Sequence, residues 1–279
     1  MISLYDVINN RASCRNFSDK GISDNVINKI LNAACKAPSS GGFQKYSIIK
    51  VTKEETKHNL AKLCRGQSFI EKAPINIVFC IDYRRIKRIN EVIPAPCDLT
   101  NSFMEFFMAI IDTAICAHTL CLAAEEEGLS SVYIGNIINT IDQVSDLLHL
   151  PQYVCPSIMV VLGYPKNKPK MSEKYNADVI VHDEEYKDMD IDDLVKQYEN
   201  RYRNWNMKIT DNIINKIYET CYKLNGKEFA DECRNYIINE GIISSYQFWF
   251  GYYYLQQEEF LNLEGYINFM KKQGFNWIG

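Results

Sequence analysis

The run from Ser102 to Glu127 constrains this chain most. Its middle, Ala109 to Ala124, is apolar or small at nearly every position and is interrupted only by Asp112, Thr113 and His118. A helix that is apolar all round has no face to give to water, so the pattern predicts burial on nearly every side, at the centre of a domain or at a subunit interface. His118 then reads as a core histidine and not as a base. With 279 residues and 47% hydrophobic content the chain can bury a full core, as one domain or one domain with an addition.

Charge and cysteine usage narrow the function classes. A net charge of -4 and the lack of a long Lys/Arg run argue against a nucleic-acid partner. The N-terminus has no charged-then-apolar leader pattern, and runs such as Ile75 to Ile81 are too short to cross a bilayer, so a cytoplasmic protein with no membrane partner is expected. The ten cysteines are scattered without a Cys-x-x-Cys pair and read as buried thiols. Cys116, His118 and Cys121 share a helical stretch, but steps of about 100° per residue point them to different sides, so no metal is expected there.

Taken in order, the chain alternates helical and strand patterns. Ser3 to Asn10 reads as a short helix leading to Arg11, and Ser23 as the N-cap of a helix to Ala34. Ala37-Pro38-Ser39-Ser40-Gly41-Gly42 must be a loop, because Pro disfavours helix in its predecessor and glycine permits positive φ. Tyr46 to Val51 reads as a strand, Glu54 to Cys64 as a helix, and Ile75 to Ile81 as a central strand buried on both faces. Arg84 to Thr100, with prolines at 94 and 96 and basic residues at 84, 85, 87 and 88, reads as an excursion or lid outside the core. Val132 to Ile134 and Ser157 to Tyr164 read as strands, and Ile141 to Leu148 as a helix. Gly135 marks a close backbone approach. Alternation of this kind, taken locally, suggests a parallel α/β sheet.

The candidate chemistry begins at Arg11-Ala12-Ser13-Cys14-Arg15. Two guanidinium groups flank a hydroxyl, a set that can hold a phosphate if the backbone lets the three converge. Ala37 to Gly41 with Gln44, Ala73-Pro74 before a buried strand, Leu122-Ala123-Ala124 through Gly128-Leu129, Ile134-Gly135-Asn136 and Leu162-Gly163-Tyr164-Pro165 follow in that order. Together these residues resemble the nitroreductase family of FMN-dependent oxidoreductases over roughly positions 3 to 187.

The resemblance implies an α+β sandwich, a mostly antiparallel sheet flanked by helices, in an intertwined homodimer with both FMN sites at the interface. It implies that Arg11, Ser13 and Arg15 bind the FMN phosphate together with Lys174, Lys170 being the weaker choice. Pro38, Ser39, Ser40, Gly41 and Gln44 would line the flavin, Gln44 matching the donor and acceptor edge of its pyrimidine ring. Ile134, Gly135 and Asn136 would bring backbone near the reactive N5. The implied reaction is ping-pong: NAD(P)H delivers hydride to the flavin, leaves, and is replaced by a nitroaromatic, a quinone or a similar small acceptor. No catalytic side chain is implied, because the cofactor carries the chemistry.

Two stretches depart from the pattern. Gly42-Phe43 and Lys45-Tyr46 stand where the family commonly has Asn and Pro-Trp, so ring contacts differ there, and Arg84 to Thr100 matches no particular subfamily. Residues 1–200 are thus expected to form an FMN-binding domain. Residues 201–279 read as a helical extension, with helices over Ile209 to Leu224, Lys227 to Asn239, Ile242 to Gln257 and Glu258 to Gln273. Its aromatic run, Tyr246 to Tyr254, reads as a small helical core. An alternative from another class is a flavin-binding regulatory or interaction protein that uses the extension to hold a partner.

Overall fold

The computed structural model describes residues 3–205, 207–254 and 263–277. They fall into two compact units, 1–171 together with 263–279, and 172–262.

The first unit is built on a four-stranded sheet in the order β1-β2-β4-β3, with β1 Tyr46–Val51, β2 Ile75–Asp82, β3 Ser130–Ile134 and β4 Val154–Gly163. All three pairings are antiparallel, as the resemblance implied and against the parallel sheet that local alternation suggests. Both central strands are flanked by neighbours, and every residue of β2 is buried. Side chains leave a strand on alternate faces, and two cores result. Ile77, Phe79, Val160 and Leu162 meet α2 (Asp24–Ala34) and the long helix α6 (Phe103–Glu126) on one face. Val78, Cys80, Met159 and Val161 pack on the other with residues of α3 (Glu54–Leu63), α4 (Ser68–Lys72) and α7 (Ile141–Leu147).

The helix ends follow their sequence signals. Ser3 and Asp6 form a capping box on α1 (Leu4–Asn10), while Ser23 and Ser102 accept from backbone N–H groups in the first turns of α2 and α6. Arg84 to Thr100 differs from the expected excursion in holding a regular helix, α5 (Arg84–Asn90), whose residues stay outside the buried core.

Helix α6 corrects two expectations. It is long and apolar enough to cross a membrane by length and composition, but it lies against the sheet through Phe106, Ala109, Cys116, Leu120 and Ala124. Burial stops there: Phe103, Met104, Phe107, Ile110 and Ile115 are exposed, and His118 is exposed with them instead of sitting in the core. The sheet covers one side of a helix only, so an all-round apolar sequence leaves an apolar face outside.

The last helix, Leu263–Lys272, belongs to this unit. Met270 and Phe275 pack with Ile81, Tyr83 and Phe106, Trp277 meets Phe106 at 4.4 Å between ring centroids, and Gln273 Nε2 donates to the Val154 carbonyl at 3.0 Å.

The second unit is helical. Helices Asp211–Asn225 and Lys227–Glu240 bury Ile214, Ile217, Cys221, Ala230 and Ile237 against one another, and Phe248 and Tyr252 pack onto that core. The aromatic run is therefore only in part a core, because Tyr246, Phe250 and Tyr254 are exposed. It enters a turn of π-helix, Trp249–Tyr253, where Gly251 lets the backbone approach Ile217. Residues 255–262, where the expected third and fourth helices of the extension meet, lie outside the described residues.

Candidate functional site

The N-terminal arginines owe their common direction to extended backbone. After α1 ends at Asn10, Ala12 and Cys14 turn inward and are buried while Arg11, Ser13 and Arg15 alternate with them toward the outside. The segment is held at the open edge of β3: Ser13 bridges Ser131, and the Cys14 N–H donates to the Ser131 carbonyl at 3.0 Å. Arg15 and Ser13 are exposed, Arg11 partly buried. Its Nη1 is buried without a hydrogen-bond partner, a cationic donor still in need of an acceptor.

Ile134, Gly135 and Asn136 stand at the end of the same strand. Ile134 is a core residue, so only its backbone is available to a ligand. Gly135, exposed, begins the tight turn Asn136–Ile138, whose first N–H groups have no partner within the turn. A side chain added at Gly135 would meet nothing within 4 Å, so the close approach expected there is not made by this chain's own atoms and the space above it is open.

The loop after α2 is shaped by its glycines. Gly41 has φ +59°, and a Cβ there would meet the Phe43 ring at 2.8 Å. Gln44 also sits at positive φ, stabilised from all sides: its N–H donates to Ser39 Oγ at 3.1 Å and its Nε2 to the Cys35 carbonyl at 2.9 Å. Arg85 donates to the Gln44 carbonyl at 3.2 Å and to the Tyr46 carbonyl at 2.7 Å. The Ser40 N–H donates to Asp112 Oδ1 at 2.9 Å, while Asp112 Oδ2 is buried without a partner. Pro38 is exposed, and Ser39 and Ser40 are partly exposed. Beside the loop lies a cavity of about 350 Å³, lined by Ser40, Gly41, Phe43, Ile89 and the ion pair of Lys45 with Glu105 at 2.5 Å. A wider cleft of about 780 Å³, lined by Arg84, Arg85 and Arg88, contains none of the sequence-predicted residues.

The structure therefore brings the candidates together in two groups. Arg11, Ser13, Arg15, Ile134, Gly135 and Asn136 gather at β3, and Pro38, Ser39, Ser40, Gly41 and Gln44 in the loop that leads into β1, the other outer strand. Two strands separate these edges, about 14 Å at ordinary strand spacing. Lys170 is exposed in the first unit, and Lys174 is exposed in the second. Asp112, Arg85 and the Lys45–Glu105 pair are functional candidates that sequence reasoning missed; of these only Asp112, an acid in an apolar helix, carried a signal.

Electrostatics distinguishes the β3 edge. Glu125, near the end of α6, has its carboxyl pushed up to about 7 by burial, with the Arg11 guanidinium pulling it back down. Burial likewise raises the Cys14 and Cys121 thiols and the Tyr133 phenol, so these stay neutral near pH 7.

The family model described as the nitroreductase family matches residues 8–164. This chain belongs to the nitroreductase family. A relative, the NADPH-flavin oxidoreductase of Vibrio harveyi, is 33% identical over 227 residues, 81% of this chain and 90% of that protein. The FMN reductase [NAD(P)H] of Bacillus subtilis is 27% identical over 235 residues, 79% of this chain and 92% of its own length. A solved nitroreductase from Bacillus subtilis superposes with a TM-score of 0.73 at 25% identity, covering 98% of this chain and 99% of that one. So broad a coverage takes in the helices after residue 200, which that structure shares with this family member.

Proposed function

We propose that this protein is an FMN-dependent oxidoreductase that takes electrons from NAD(P)H and passes them to a nitroaromatic, a quinone or a similar small acceptor. The observation that carries the reading is the outward face of Arg11, Ser13 and Arg15, with the buried Arg11 Nη1 still lacking an acceptor, in a chain whose relatives bear the names of flavin reductases. The fit is chemical: a phosphate monoester carries about -1.5 to -2 charges at neutral pH and three acceptor oxygens, and two arginines with a hydroxyl between them supply charge and donors for it.

Bound flavin supplies hydride acceptance and donation, and the protein's residues orient and tune it. Arg11 and Arg15 hold the phosphate end and Ser13 adds a donor. The open space at Gly135 and the backbone N–H groups of Gly135 and Asn136 would offer donors to a group that gains electron density. Asp112 and Arg85 hold the 38–44 loop in place, so that Ser39 and Ser40 would face the ring system without reorganising, while Gln44, whose Nε2 already donates to the Cys35 carbonyl, would keep its acceptor oxygen for the ring. Lys174 is the proposed further ligand of the phosphate, ahead of Lys170, and comparison of Lys174→Ala with Lys170→Ala in FMN binding tests that choice.

The two residue groups at opposite sheet edges, with the exposed apolar face of α6, support a homodimer in which the β3 edge of one copy meets the 38–44 loop of its partner. Ten free thiols, seven of them buried, support a reducing, cytoplasmic setting. Purified protein should be yellow, with flavin absorbance bleached by NADPH or NADH under anaerobic conditions and restored by a quinone. Colourless protein that refuses added FMN overturns the reading.

A further inference from the structure

A polar cluster lies behind the arginine face. Arg11 Nη1, Glu125 Oε1 and Ser131 Oγ are all buried, Arg11 Nη1 and Glu125 Oε1 without a hydrogen-bond partner and Ser131 beside the Cys121 thiol. They come from three elements that meet there: the residue capping α1, the last turn of α6, and β3. Cys121, one turn before Glu125, and Tyr133 of β3 border the same space, since the charge of Arg11 acts on both, and Cys14 of the N-terminal segment feels Glu125. The charge acting on Glu125 itself is that of Arg11; Glu127, two residues on, is paired with Lys29 of α2. Arg11, itself partly buried, thus belongs both to the surface that carries Ser13 and Arg15 and to the surroundings of a half-buried carboxyl whose Oε1 has an unfilled acceptor.

We propose that Glu125 is a positioning residue for Arg11 whose proton decides whether the guanidinium is shared. Protonated, the carboxyl leaves the positive charge of Arg11 to the flavin phosphate; ionised, it competes for that charge and repels the phosphate. This inference rests on the reading that Arg11 binds the phosphate.

The consequence is a linkage of fixed sign. With the carboxyl pushed up to about 7, the change of state falls in the working range. A bound phosphate adds negative charge nearby and raises the Glu125 pKa further, so binding takes up part of a proton and affinity falls as pH rises through that window. The converse holds by reciprocity. The phosphate's own second ionisation near pH 6 acts in the opposite direction, so the informative quantity is a ratio between variants that share it.

The test uses full-length protein stripped of flavin, with FMN dissociation constants from flavin fluorescence between about pH 6 and pH 8.5. Glu125→Gln keeps the shape and removes the ionisation. The ratio of wild-type to Glu125→Gln dissociation constants should be near unity at the acid end and rise to about tenfold at the alkaline end, the equivalent of one pKa unit. Glu125→Asp should retain a pH-dependent ratio, which a merely structural role would not predict. Titration of the wild type in buffers of different ionisation enthalpy reads proton uptake without any substitution, and covers the case in which a variant fails to fold. A flat ratio, weaker binding by Glu125→Gln at every pH, or no proton uptake above about pH 7.5, where the phosphate is already a dianion, overturns the proposal. Arg11→Ala separates the two levels: if it leaves FMN affinity unchanged, the phosphate reading itself fails, and if it weakens binding while the ratio stays flat, only the role of Glu125 fails.

Discussion

Arg11 and Arg15 carry the phosphate reading, and each is open to direct measurement. Arg11→Ala or Arg15→Ala should weaken FMN binding by about 1.5–3 kcal/mol, the range for hydrogen bonds to charged groups, as read by fluorescence titration. Glu125 makes a separate prediction about the flavin-free protein. Its carboxyl is held protonated to about pH 7 by burial, whereas in the unfolded chain it ionises near its ordinary 4.5. Between those values the folded state binds more protons, so stability falls as pH rises from about 4.5 to 7 and the cost persists above. The thermal midpoint of Glu125→Gln should therefore gain on the wild type between about pH 5 and pH 8; a constant difference would show that the carboxyl does not titrate as described. The residue pattern at positions 11, 13 and 15 was legible because an extended segment turns alternate side chains one way. Asp112, Arg85 and Glu125 were not legible as site residues, because each acquires its role from a partner far along the chain: the Ser40 N–H, the Gln44 carbonyl, and Arg11.

Helices and strands follow their caps and apolar periods closely, and α6 departs furthest from what its sequence predicts. Periodicity can say that a helix is apolar all round, but not how many neighbours the fold will give it. Here one side meets the sheet, and Phe107, Ile110 and Ile115 remain exposed. If that face is the dimer interface, Ile110→Glu buries a charge in each copy and should turn the dimer into monomer in light scattering; an unchanged dimer would place the interface elsewhere. The Lys45–Glu105 pair beside the 38–44 loop offers another element-level test. Lys45 is 2% exposed, so Glu105→Ala leaves its ammonium buried without a counter-charge and should cost about 1–3 kcal/mol in chemical unfolding, while simultaneous Lys45→Met should recover most of it.

For the whole molecule, the order β1-β2-β4-β3 matters more than any single residue. The alternation of helix and strand along the chain is compatible with parallel or antiparallel pairing, and strand direction is set by long-range partners that no local pattern encodes. It was the ordered set of motifs, from Arg11 to Pro165, that pointed to the antiparallel sheet. With one group of candidate residues at each outer strand, the proposed flavin site takes Arg11, Ser13 and Arg15 from one copy and the 38–44 loop from its partner. Subunit complementation measures this most directly. One parent carries Arg11→Ala with Arg15→Ala; the other carries Gly41→Val, which forces a branched side chain into a backbone of φ +59° and against the Phe43 ring. Neither homodimer should hold FMN. A heterodimer isolated through two different tags pairs one intact edge with one intact loop, and should bind about one FMN, half the wild-type load. A heterodimer that binds none would rule out a shared site, since it would mean that each site is built within a single chain.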